Sequence, residues 1–264
     1  MSDTSSLFRI PKLSYRVWKV WMRNKDVFMK TYKTNFLPSL LEPVLYLLAL
    51  GFGLGSFVQP INGEPYIRFI APALVAVSMM YSSFYECTFA SFVRMYFQKT
   101  FDAIIATPVT IDEVITGEIL WGATKSLINS SIVLAVIVAF GVVPSPLFLL
   151  IPPVSFLVGL LFSAIAMCFT AIVPNIDSFN YPNFLFITPM FLLSGTFFPL
   201  TSMPEFLQIA AQIFLPLANA VAVSRSLALG NIQISILFNL AWMLIITPIF
   251  FVLAINLMKK RLIK

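Results

Sequence analysis

Four ionisable side chains fall inside or beside long apolar runs of this 264-residue sequence: Glu42, Glu86, Glu118 and Lys125. A charge placed in hydrocarbon costs about 2.5–3.5 kcal/mol or more on insertion scales, so each must face water or find a partner. Counted at about 1.5 Å per residue from a polar loop that opens near residue 94, Glu86 and Lys125 reach similar depth, roughly 10–18 Å, and are expected to pair. Such a pair serves either structure or a substrate, and spacing alone does not choose. There is no histidine in the chain. That removes Ser-His-Asp and Cys-His catalysis, histidine metal sites and histidine proton relays together. Cys87 and Cys168 lie in separate apolar segments without CxxC spacing, so neither a structural disulfide nor a metal site is expected.

GFGLG at 51–55 looks like a phosphate loop but lacks the Lys and Ser/Thr that a nucleotide site needs. Gly51 and Gly55 instead have the small-xxx-small spacing that lets apolar helices pack closely, and a homodimer seam is one use for it. No Walker motif occurs anywhere. If ATP and Mg drive this protein, another subunit must bind them.

Composition supplies the setting for these residues. Hydrophobic residues make up 59% of the chain and charged residues 11%, well under the ~25% charged of a soluble protein. The sequence is expected to form one all-α polytopic membrane domain over residues 1–264. Apolar segments at 36–58, 67–93, 113–141, 147–173, 179–198 and 232–258 are each long enough to cross a hydrocarbon core of ~30 Å. Six spans place both ends on one side. Of 17 Lys and Arg, eight lie before residue 35 and four after 258, so that side is the cytoplasm. The basic ends therefore report topology rather than nucleic-acid binding. No cleavable signal peptide is expected, because the first long apolar run starts near Phe36. No internal repeat is visible, which argues against an inverted-repeat carrier.

Three segments must position whatever the spans carry. Residues 7–24 predict an amphipathic interfacial helix, with Lys12, Arg16, Lys19 and Arg23 on one face and Ile10, Leu13, Val17, Val20 and Trp21 on another. Its basic face suits anionic lipid or a partner. Within the loop 94–119, FDAIIAT (101–107) predicts a short helix that stops before Pro108. Thr110 and Glu113 then form a capping box that starts the next span. Such a helix passes force from a soluble partner or is an ordinary ordered loop. The stretch 191–230 is cut by Pro199, Pro204 and Pro216 into pieces too short to span. Ser202 and Glu205 predict a second capping box, Gly230 a helix stop, and Arg225 is expected to reach the headgroups. Two re-entrant helices over 203–229, forming an outer rim, follow from this punctuation.

Four segments in this order carry a family resemblance: LLEPVLYLLALGFGLG (40–55), TFDAIIATPVTIDEVITGEILWGATKS (100–126), FLLSGTFFPLTSMPEFLQ (191–208) and LPLANAVAVSRSLALG (215–230). The chain resembles the permease subunits of type-2 ABC exporters, most closely the NodJ-like lipooligosaccharide exporter permeases. The resemblance implies a homodimer in the bacterial inner membrane, bound to two copies of a cytoplasmic, NodI-like ABC ATPase that supplies ATP and Mg. It implies alternating access for an amphiphilic, lipid-linked substrate. It makes 98–107 a coupling helix, with Phe101, Asp102, Ile104, Ile105, Thr107 and Pro108 at the ATPase interface. Where many relatives are expected to read P-L-T-H, this chain reads PLANAV, so Ala218 and Asn219 remove a histidine and any role for it. Export of a hydrophobic drug or a polysaccharide is the alternative within the class. A non-ABC membrane enzyme or channel stands outside it, against the lack of histidine, of clustered carboxylates and of polar rings along a span.

Overall fold

The computed structural model describes residues 9–61 and 63–263, without the side chains of 33–40, 42 and 43. The Glu42 side chain therefore lies outside the described residues. Helices make up nearly all of the architecture. Helix α1 (Val17–Tyr46) is kinked at Thr31 (φ −118°, ψ 15°) and continues as π-helical turns over Leu47–Gly53. Helix α2 (Tyr66–Phe97) contains two π-helical turns, Glu86–Ala90 and Val93–Phe97. A short α3 (Thr100–Ile105) leads to α4 (Ile111–Ala139) and α5 (Pro146–Ile172). Segment α6 covers 177–193 as a succession of 3₁₀, α and π turns. Helices α7 (Glu205–Phe214) and α8 (Pro216–Leu229) meet at 94° across Leu215. Helix α9 (Ser235–Leu262) completes the bundle.

Four of these helices, α2, α4, α5 and α9, are long and apolar enough to cross a membrane, and the bent pair α7–α8 raises the number to five if it is one span. Two of the six expected spans do not meet that test. The one expected at 179–198 is broken by π turns and ends at Leu193, after which Gly195 (φ +72°) turns the chain. The apolar helix recognised in the region of the one expected at 36–58 covers only Val44–Ser56. Both regions nevertheless pack on the long helices. Phe179 of α6 packs on Phe89 and Phe92, whereas Phe191 packs on Tyr81 and Phe197. Val20 of α1 sits against Gly117, and Gly51 against Ile67.

The contacts gather the segment that begins at Arg9 and the last turns of α9 at one end of the bundle. Asn256 donates to the Arg9 carbonyl, Lys259 pairs with Asp112, and Arg261 donates to the carbonyls of Thr170 and Val173. The 59–66 loop, the 142–146 loop and the 194–205 turns collect at the other end. There Tyr66 donates to Phe197 O and Ser145 N to Ala228 O.

Small residues set the helix spacing. A Cβ on Gly122 would lie 2.3 Å from Ser163 Oγ and 2.7 Å from Cys87 Sγ, so α4 touches both α5 and α2 there. A Cβ on Gly159 would lie 2.8 Å from the Ala123 backbone. Helices pack in lipid largely by such close approach. Gly51 works within the chain: its Cβ position is 2.8 Å from Ile67, so this glycine seats α1 on α2 of the same molecule. Gly159→Ala is expected to destabilise the protein by about 1–3 kcal/mol, because the backbone of α4 cannot move aside. Gly53→Ala, with nothing nearer than 3.6 Å, serves as its neutral control. Thermal unfolding in detergent checks both, and equal melting temperatures would contradict the packing.

Candidate functional site

The terminal end is organised around α3. Lys99 precedes it in the left-handed region (φ +52°), a conformation that L residues rarely adopt. The helix ends as expected, with Thr107 donating to Ile104 O just before Pro108. The Thr110–Glu113 capping box then forms as the sequence predicts, with Thr110 N donating to Glu113 Oε2 at 2.8 Å and Glu113 N to Thr110 Oγ1. One expectation for α3 is corrected. Phe101 is fully buried in the protein's own core, and Ile104 and Ile105 pack partly against it. A helix of six residues must spend one face on anchoring. The face left exposed consists of Asp102, Ala103, Ala106, Thr107 and Pro108.

The N-terminal segment holds this loop from the side, and here a second expectation is corrected. Helix α1 begins at Val17, not near residue 7, and residues 9–14 are non-helical. Long-range contacts outcompete local helix there. Lys12 N donates to Asp112 Oδ2 (2.9 Å), Ser14 Oγ to Glu113 Oε1, and Arg9 O accepts from Asn256. Ile10 and Leu13 consequently stay exposed, while Val17 and Val20 are buried. Two of the four basic residues face α3. Arg16 donates to Pro108 O (2.6 Å) and Arg23 to Thr100 Oγ1 (3.5 Å), so α3 is held at both ends. The Lys12 and Lys19 side chains are exposed.

Above this loop lies a buried network of charges. Lys125 Nζ is 3.1 Å from Glu86 Oε2, which is the expected pair. The sequence reading missed the third partner, Arg94. Its guanidinium bridges Glu86 (2.8 Å) and Glu118, which accepts from Arg94 Nε at 3.0 Å. Glu118 is fully buried and also accepts from Asn24 Nδ2 (2.7 Å) and Ser91 Oγ (2.6 Å). Arg94 was read as a loop residue. It turns inward because it stands on the second π-helical turn of α2, a helix form frequent at functional sites. One signal was present: three acids or bases, Glu86, Glu118 and Lys125, summed to a surplus acid that required another cation.

The network forms part of the wall of a cavity of about 860 Å³ between α1, α2, α4 and α6. Arg23, Asn24, Glu86, Arg94, Gln98 and Lys125 line the part toward the terminal end. Tyr46, Leu74, Val77, Tyr81 and Phe191 line the part toward the other end. The wall is thus graded from charged to apolar.

At the far end, Arg225 is turned inward rather than out to headgroups, a third correction. It donates to Phe69 O (3.2 Å) and Gly195 O (2.8 Å) and lies 3.8 Å over the Phe69 ring. Pro72 lies in that turn of α2 and supplies no N–H to it. The Ser202–Glu205 capping box does not form. Ser202 Oγ donates to Pro199 O (2.6 Å) within a 3₁₀ turn, and Pro204 itself occupies the N-cap of α7. Pro216 opens α8 and Gly230 (φ +78°) closes it, as expected.

Comparison with known proteins agrees with this architecture. The family model described as ABC-2 type transporter matches residues 15–229. The chain belongs to the ABC-2 type transporter membrane family. Nodulation protein J of Sinorhizobium fredii is 34% identical over 244 residues, covering 92% of this chain and 93% of the relative. Nodulation protein J of Rhizobium meliloti is 35% identical over 243 residues, 92% of each chain. The inner membrane transport permease YadH of Escherichia coli is 24% identical over 189 residues, 72% of this chain and 73% of the relative. As an ABC-2 family member the chain is a multi-pass permease, and its buried charges are features of a transport protein's interior.

Removing one member of a buried ion network leaves a charge unpaired and typically costs about 3–5 kcal/mol. Arg94→Met is expected to reach that range, because the fully buried Glu118 loses its one ion-pair partner among the described residues. Lys125→Met is expected to cost less, since Glu86 keeps Arg94. Exchanging the charges of Glu86 and Lys125 is not expected to restore stability, because it sets a lysine beside Arg94. Unfolding in mixed micelles measures all three, and an Arg94→Met variant within 0.5 kcal/mol of wild type, against the about 1 kcal/mol centre for point mutants, would contradict the network.

Proposed function

We propose that this chain is the membrane-spanning subunit of an ATP-driven exporter that moves a lipooligosaccharide or similar amphiphilic glycolipid outward across a bacterial inner membrane. The observation that carries the reading is the joining of two features by one short stretch of α2. The graded cavity and the exposed α3 are separated only by the turns that carry Arg94. Family membership and the NodJ-like resemblance support the substrate class and a NodI-like ATPase, in two copies, as partner. Support for cytoplasmic termini comes from the 12 basic residues that the two ends hold. In this reading α1 and α6 complete six crossings, α7 and α8 form two re-entrant helices at the outer face, and a second copy of the chain completes the transport path.

The mechanism follows from rigid connections. Closure of the ATPase dimer on ATP displaces α3. Phe101 and the Arg16 and Arg23 contacts carry that displacement into α1 and α4, and Arg94 carries it into the cavity wall. The spans then alternate between inward and outward access. The chain supplies binding and movement, and the partner supplies the chemistry of ATP.

Ala106→Trp is expected to enlarge the exposed face of α3 and abolish co-purification of the ATPase while the permease stays folded. Phe101→Ala is expected instead to destabilise the permease itself by about 3–5 kcal/mol. Pull-down of a NodI-like ABC ATPase with the permease, followed by ATPase assay in nanodiscs, checks the interface. If no ATPase associates, and Asp102 or Ile105 substitutions leave transport intact, the reading fails.

A further inference from the structure

The charges at the terminal part of the cavity do not cancel. Three cations, Arg23, Arg94 and Lys125, stand against two carboxylates, Glu86 and Glu118. Both carboxylates are already committed: Glu118 to Asn24, Ser91 and Arg94, and Glu86 to Arg94 and Lys125. Arg23 makes its hydrogen bonds to neutral oxygens, Asn24 Oδ1 at 2.9 Å and Thr100 Oγ1, and the Glu118 carboxylate acts on it only through space. Among the described side chains it takes part in no ion pair. Lys125 meets one carboxylate and the Phe28 ring, 5.2 Å away, and also lines the cavity.

We propose that this end of the cavity is a subsite for an anionic headgroup, a phosphate, sulfate or carboxylate borne on an alkyl chain. Arg23 and Lys125 bind the anion, and the apolar part of the wall takes the chain. A charge-assisted bond to guanidinium in a partly desolvated site is about twice as strong as a neutral one, so the anion gains both pairing and orientation. Arg23 is only half-buried, and a headgroup there supplies a countercharge that no carboxylate within ion-pair distance provides among the described side chains. Arg23 then connects the bound headgroup to Thr100 of α3, the helix nearest the ATPase. The inference rests on the export reading for the use of the cavity, but it concerns the charge of the cargo, which that reading leaves open. Cargo and a bilayer lipid share this chemistry.

The test uses the full chain in phosphatidylcholine nanodiscs, titrated with dodecyl phosphate or with zwitterionic dodecylphosphocholine and followed by tryptophan fluorescence, since Trp121 lines the cavity. Dodecyl phosphate is expected to bind about tenfold more tightly, the effect of one charge-assisted contact. Arg23→Gln is expected to erase the preference and Arg23→Lys to keep it. Asn129→Asp, on the same wall, cancels the excess charge without touching Arg23 and is expected to erase it too. Repeating the titration with phosphatidylglycerol in the nanodiscs names the source. Loss of dodecyl phosphate affinity there supports a bilayer lipid as occupant, and retained affinity supports cargo. Equal affinity for the two probes in wild type, or an undiminished preference in both Arg23→Gln and Asn129→Asp, overturns the subsite. Either result leaves ATPase association, and with it the export reading, to be judged separately.

Discussion

A guanidinium in an apolar interior must be neutralised where it stands, and Arg94 meets that constraint by joining two helices. Its bond to Glu118 fixes α2 against α4, its bond to Glu86 orients the carboxylate that meets Lys125 of α4, and Asn24 on the same Glu118 adds α1. A buried network of this kind is weak evidence of stability, because a well-packed apolar core can do as well. Its value here is specificity of position. The helices that line the cavity and the helix that leads into α3 have one register relative to each other, set by charge.

Backbone polar groups impose a second constraint on the same parts. In lipid an unsatisfied N–H or C=O costs several kcal/mol, so irregular backbone survives only where protein or water serves it. The far end meets this with Arg225, which donates to the carbonyls of Phe69 and Gly195 beside a proline and a left-handed glycine. The terminal end meets it with the capping box and with Arg16 on Pro108 O. Breaks in helix at both ends are therefore held open by named donors. The Arg225 contacts make α8, α2 and the turn after α6 one unit.

How much was legible in the sequence depended on range. Thr110 with Glu113, Pro216 and Gly230 act within a single turn, and all three were read correctly. The Glu86–Lys125 pair followed from depth, because helical rise converts residue count to height. Arg94 was missed since two π turns shift its facing, and nothing in the residue pattern marks a π turn. The strand-like segment 9–14 was read as helix because its competitors, Asp112 and Asn256, are about 100 and 247 residues away. Ser202 failed as a cap because the Pro199 carbonyl lies within its reach and Pro204 takes the N-cap. Phe101 was placed at the interface by the family resemblance, and a six-residue helix is too short for periodicity to correct that face.

The central claim is that α3 and the N-terminal helix move as one body, tied by Arg16, Arg23 and the buried network. The most direct measurement is the distance between spin labels at Lys19 and Ala106, both exposed, in the permease bound to its ATPase. One narrow distance distribution, unchanged between nucleotide-free and ATP-bound states, is the predicted result. A second distance appearing with ATP would show that α3 slides past α1, and would contradict the account.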